Sequence, residues 1–400
     1  MQSMRFSLLV LALISTHAFS ASPTVQVDAG EFDRDNTVIT FDLPPVAQKL
    51  SYAIGQDGET LHLQSEPPGK ASLIIPHLPK GHRASYLLST SGGPSADSSE
   101  VTLTRIYKNK LKASASGHHL FEYQAEPGEL PRPDIKPIFT RGGYIHPIYS
   151  PAGKLITDDF PPNHIHHHGV WWAWTKTEFE GRHPDFWNMG DGKGRVEFVS
   201  LDRNWSGPVH GGFIARHRFV DLTAEKPVVA LNEVWEVKVY NTFDANRGWM
   251  FDLVSTQECA THHPLKLPEY RYGGIGVRGN RAWNGKGNAN WLTSEGEVTK
   301  DQGMRGGWCD MSGLIDGAQA GITILSHPAN FRAPQPMRVH PTEPFFCFAP
   351  QEAGDMEIAP GQRYVSRYRF LVHDGPPDKK FLEAVWNDYA NPPKVTVSVD

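Results

Sequence analysis

Short β-prone runs, Val38-Ile39-Thr40-Phe41, Leu73-Ile74-Ile75 and Tyr86-Leu87-Leu88, recur between Thr24 and Thr90, separated by Pro, Gly and Asp turns. Runs of this length between turn residues predict strands, and roughly seventy residues is the scale of a small β-sandwich. From Ser91 to Ser99 the chain is rich in Gly and Ser and has nothing to bury, so the boundary of that module is placed there, with residues 21–95 before it and 96–400 after it. Beyond the boundary, Val101–Ile106, Arg195–Leu201, Phe213–Val220, Val234–Tyr240, Ile322–Leu325 and Tyr364–Val372 read as strands, with alternating apolar positions such as Trp235, Val237 and Val239. Helical periodicity is confined to the stretch after Asp378, where Phe381, Leu382, Val385, Trp386 and Tyr389 recur at three- to four-residue spacing behind a capping Asp. The pattern predicts an all-β protein: a small sandwich, a larger one of about three hundred residues, and a single C-terminal helix.

Charge and composition narrow the class of partner. The 400 residues hold 39 Lys and Arg against 44 Asp and Glu, for a net charge of -5, without a concentrated basic face, which argues against nucleic acid. Phe6 to Ile14 is an apolar run too short to span a bilayer, preceded by Arg5 and followed by Ala18-Phe19-Ser20. Residues 1–20 therefore read as a cleaved signal peptide, and the expected location is periplasmic or extracellular without membrane insertion. Cys259, Cys309 and Cys347 are an odd set that allows at most one intramolecular bridge, and they show no CxxC spacing.

The candidate chemistry is concentrated in a few segments. His164-Ile165-His166-His167-His168 is followed at once by Trp171, Trp172 and Trp174, which places groups that titrate near neutrality beside flat apolar faces suited to sugars. In an extended chain His164, His166 and His168 would share one face. His164 and His166 would then offer an H-x-H pair to a divalent metal, with a third ligand still to be found, or the histidines would serve as general acid and base. In Asp185-Phe186-Trp187-Asn188, Trp187 is placed to stack on a sugar ring while Asp185 accepts its hydroxyls. Glu269, followed by Tyr270 and Arg271, is the candidate second acid/base. His327, Asn330 and Arg332 follow the Ile322–Leu325 strand in a proline-stiffened loop, with His340 soon after, and Arg332 would pair with a uronate carboxylate or a developing negative charge.

Taken together, Tyr144-Ile145-His146-Pro147, His164-x-His166-His167, Asp185-Phe186-Trp187, Glu269 before Gly273-Gly274, and His327-Pro328-x-Asn330-x-Arg332 resemble a bacterial family of secreted proteins of unknown function often labelled the PmoA or methane-oxygenase-like family. The resemblance runs from about residue 25 to 375. The family's histidine cluster commonly reads His-Pro-His-His-Arg, so Ile165 and His168 depart from it and only His164, His166 and His167 are carried over. The resemblance implies a β-supersandwich similar to galactose-mutarotase-like folds, in a family whose members tend to belong to carbohydrate-degrading organisms.

The expectation is a carbohydrate-active enzyme cleaving a glycosidic bond, as hydrolase or lyase. His166, His167, Glu269 and His327 are its catalytic candidates; His164, Trp172, Asp185, Trp187, Arg271, Asn330, Arg332 and His340 are its substrate-binding candidates. A non-catalytic glycan-binding protein and a sugar epimerase or mutarotase are the alternatives.

Overall fold

The computed structural model describes residues 23–92, 99–107, 110–298 and 300–399. The signal peptide read at residues 1–20 and the middle of the Ser91–Ser99 interval lie outside them.

The predicted strands all form. Val38–Phe41 lies within the strand Arg34–Asp42, Leu73–Ile75 within Lys70–Leu78, and Tyr86–Leu88 within Arg83–Ser89. Alternation buries Val25, Val27, Ile39, Phe41, Leu73, Ile75, Tyr86 and Leu88 in one small core between a five-stranded and a three-stranded sheet. The five-stranded sheet also takes in the end of the chain: Lys394–Ser398 pairs antiparallel with Thr24–Asp28.

Most of the remaining described residues form a β-supersandwich of two nine-stranded sheets, with a two-stranded ribbon of Leu265–Leu267 and Met356–Ile358 beside them. The back sheet runs in the order Gly194–Trp205, His210–Asp221, Val228–Tyr240, Trp249–Cys259, Tyr364–Asp374, Ala318–Ser326, Trp308–Ile315, Ala289–Thr293 and Gly296–Glu297. The front sheet runs Met304–Arg305, Pro336–Val339, Phe345–Phe348, Gly274–Arg278, Val170–Ala173, Tyr144–Ile148, His118–Gln124, Leu111–Ala115 and Thr102–Arg105. The core lies between them, where Trp235, Val237 and Val239 of the back sheet are fully buried. Rings also meet across the gap, Phe121 with Phe251 at 5.4 Å and Trp172 with Tyr368 at 5.9 Å.

The single helix, Lys379–Ala390, starts at Asp378, whose side chain accepts from the Phe381 N–H. Leu382 and Val385 face inward, while Asp388 accepts from Arg34 and Thr37 at 2.8 and 2.6 Å. The helix thereby ties the small N-terminal core to the large sandwich. Glu66 does the same at another point, meeting both His210 and Lys238 of the back sheet. No helix among the described residues is long and apolar enough to cross a membrane.

Candidate functional site

Because side chains alternate along a strand, each front-sheet strand sends one set of residues inward and the other to the outer face. Tyr123 pairs with Ile145, and Ile145 with Val170, and all three enter the core. The intervening Glu122, Gln124, Tyr144 and His146 therefore stand on the outer face. With Lys110, Arg141 and Asp159 they line a cavity of about 440 Å³, within the range of small-ligand pockets.

Its polar groups are held from behind. Tyr144 donates to Asp159 Oδ2 at 2.9 Å, and His168 Nδ1 lies 2.6 Å from Asp159 Oδ1. These contacts keep the Asp159 carboxyl below its ordinary value against the opposing effect of burial. His146 Nδ1 is fixed 2.9 Å from Thr157 Oγ1, which leaves its Nε2 for a ligand, and burial pushes its pKa down. Gln124 donates to the His146 carbonyl at 2.5 Å.

The loop that carries Asp159 continues into the histidine cluster. The cluster is a pair of turns, His164 N–H to the Pro161 carbonyl and His167 N–H to the His164 carbonyl, and not the extended segment considered above. His164, His166 and His168 therefore do not share one face as they would in a strand. His164 stacks on His167 at 4.7 Å, His166 stands at right angles to His167, and His168 turns away to Asp159. The hairpin between Pro336–Val339 and Phe345–Phe348 brings His340 within 5.7 Å of the His164 ring and sets Glu343 Oε2 2.6 Å from His164 Nδ1. Arg278, fully buried at the end of its strand, donates to the same Glu343 oxygen at 2.6 Å and to Asn284 at 2.7 Å. Burial lowers the pKa of His164 and His340, against the opposing pull of Glu343, and lowers that of His166 to about 3.

Of the predicted site residues, His164, His166, His167 and His340 come together. His167 is nevertheless packed between Trp171 and Phe345, with ring distances of 4.9 and 4.7 Å, and is 3% exposed, which corrects its assignment as a catalytic acid or base. Trp172 is also corrected as a sugar-binding ring, because it faces the sandwich core and is fully buried. Trp187 is 1% exposed, packed at tilted angles against Trp171 and Tyr272, so it offers no face to a sugar. Asp185 is used internally, accepting from the N–H groups of Trp187 and Asn188 and from the Asn188 side chain.

The remaining candidates stand apart from the cluster. Glu269 is exposed in a loop anchored by its backbone, its N–H on Asp355 and its carbonyl on Lys176, and Arg271 lies exposed over Tyr272. His327 packs on Tyr389 of the helix and accepts from the Ala329 N–H. Asn330 bonds both backbone groups of Arg367, and Arg332 donates to the carbonyls of Pro350, Gly354 and Asp355. These three residues fasten a loop to its neighbours, which corrects their roles in catalysis and substrate binding. All three cysteines are free, and burial raises the thiol pKa of Cys309 and Cys347.

The residues missed by sequence reasoning are Glu122, Gln124, His146, Asp159, Arg278 and Glu343. His146 and Asp159 lay within or beside the segments already singled out; Glu343 carried no local signal, because its relation to His164 exists only in space.

Fold and site define an all-β supersandwich protein with a polar cavity and a histidine-rich loop on the outer face of one sheet. The chain belongs to a family of unknown function, DUF6807, whose model matches residues 110–387. That match supports the family of unknown function and carries nothing of the methane-oxygenase label. Among solved structures, an alpha-mannosidase from Enterococcus faecalis V583 is similar at 10% sequence identity and a TM-score of 0.46, over 95% of this chain and 46% of the mannosidase. This chain thus spans about half the length of that protein. No curated protein matches the sequence.

Proposed function

We propose that this protein is an exported carbohydrate-active enzyme, a hydrolase or lyase, whose substrate binds in the outer-face cavity. The observation that carries the reading is the lining itself: a cavity of about 440 Å³ in which His146, Glu122, Gln124, Asp159, Tyr144 and Lys110 converge. Carboxylates, an amide, a phenol and a cation at this density suit a ligand covered in hydroxyl groups better than an apolar one. His146, fixed through one ring nitrogen, is the proton-transfer group, and Glu122 supplies a carboxylate to the same cavity. The apolar run at residues 6–14 is the basis for export.

The glycan-binding alternative loses its stacking platform, since Trp171, Trp172, Trp174 and Trp187 are all at most 1% exposed. Incubation of the purified protein with a panel of neutral and uronic-acid glycans, read by mass spectrometry, tests the proposal. Gain of water across a cleaved bond identifies a hydrolase and an unsaturated product a lyase. Retention of a glycan without conversion would overturn the enzymatic reading, as would full activity in both His146→Ala and Glu122→Gln.

A further inference from the structure

Beside the cavity, three side chains from two separate loops present donor atoms to one point. One nitrogen each from His164 and His340 and one carboxylate oxygen of Glu343 lie within 4.8 Å of one another, and all three residues are partly open to solvent. We propose that His164, His340 and Glu343 form a binding site for a divalent first-row transition metal of the zinc class. Two imidazoles and one carboxylate are a ligand set that suits such cations and leaves a coordination position for water or substrate.

The contacts around the three residues point the same way. His164 Nδ1 is held 2.6 Å from Glu343 Oε2, so that the imidazole and the carboxylate are already brought together. Arg278 donates to Glu343 and is itself held by Asn284, which supplies the outer support that orients a ligating carboxylate. The Thr342 N–H reaches His340 Nδ1 only at 3.4 Å, too long to fix that ring's tautomer against a metal. The ligand geometry stands independently of the carbohydrate proposal, and metal binding is read without any substrate.

The test uses purified protein stripped with chelator, titrated with Zn²⁺ by calorimetry and with Co²⁺ by visible absorption, with Mg²⁺ as the oxygen-preferring control. The expected result is one Zn²⁺ per chain, Co²⁺ ligand-field bands, and little response to Mg²⁺. His340→Ala and Glu343→Gln should each weaken Zn²⁺ binding by at least about tenfold, while His263→Ala, an exposed histidine elsewhere, should not. Circular dichroism checks that each variant is folded; should Glu343→Gln unfold by stranding Arg278, His340→Ala decides alone. Absence of Co²⁺ bands and of Zn²⁺ heat, or unchanged affinity in every folded ligand variant, would overturn the site.

Discussion

Two polar clusters containing histidine flank the front sheet, one on each face, and they are built to opposite rules. Inside the sandwich, His217 bridges Tyr123 Oη at 2.7 Å and Glu233 at 3.0 Å, Ser255 and Gln257 donate to the other Glu233 oxygen, and Trp174 donates to Gln257. His217 and Glu233 are sealed from solvent, and these contacts hold the Glu233 carboxyl below its ordinary value although burial opposes them. On the outer face, by contrast, His164 Nδ1, His167 Nδ1, His168 Nε2 and Arg278 Nε are buried without hydrogen-bond partners. A closed network of satisfied groups specifies and rigidifies a core. Unpaired buried groups next to a solvent-reaching cavity carry a cost that a ligand can offset. On the function proposed above, the inner cluster is structural and the outer one serves the ligand, although both draw on the same residue types.

The sharpest break in that comparison would come at His146. His146→Ala should lower turnover of an identified glycan by about 10²–10⁴-fold with little change in urea midpoint; a large stability loss with turnover intact would move His146 to the structural side. Glu233→Ala should do the reverse. Removing it strands His217, Ser255 and Gln257 in a dry interior, and the expected loss is about 3–5 kcal/mol in equilibrium denaturation. A variant as stable as the parent would show that the inner cluster is not the strut described.

Arg332→Ala sharpens the contrast further, because this residue was a substrate-binding candidate and is found donating to three backbone carbonyls. A stability loss of about 1–3 kcal/mol with unchanged substrate affinity is expected, and affinity measured on the folded variant checks it. The smallest effect concerns pH. His373, largely buried against Asp310 at 2.9 Å, has its pKa raised mainly by that carboxylate, against the opposing effect of burial. The charged groups near this ring are Asp310 and its own neighbour Asp374, whose carboxylate is taken by Ser150 and the Ala152 N–H. A raised folded value means that the contribution is complete below the unfolded value of 6.5 and is lost as pH rises through the folded value. Urea midpoints followed from roughly pH 6 to roughly pH 9 should fall in the parent and fall less in His373→Asn; identical slopes would remove the pair from the account.

What the chain determined locally was the architecture. Period-two alternation at Trp235, Val237 and Val239, turn residues between short apolar runs, and the capped pattern after Asp378 each act over a few residues, so strands and helix were legible without a partner in view. The histidine loop was legible as a place of interest for the same reason, since four imidazoles in five residues form a purely local signal. Which residues share a site was a different matter. Trp172 and Trp187 looked like sugar platforms and are core, because an aromatic carries no mark of which sheet face it will occupy. Asn330 and Arg332 looked like ligand-binding groups and bond the backbone, because a loop's own unpaired carbonyls and N–H groups compete for the same donors and acceptors. Glu343 lies 179 positions from His164 in sequence, by subtraction of their numbers, and meets it only because antiparallel pairing of Gly274–Arg278 with Phe345–Phe348 and with Val170–Ala173 places both loops at one end of the same sheet. Long-range pairing, and the choice of face it imposes on each side chain, is set by the whole sandwich closing over its core, and that was decided by the tertiary structure alone.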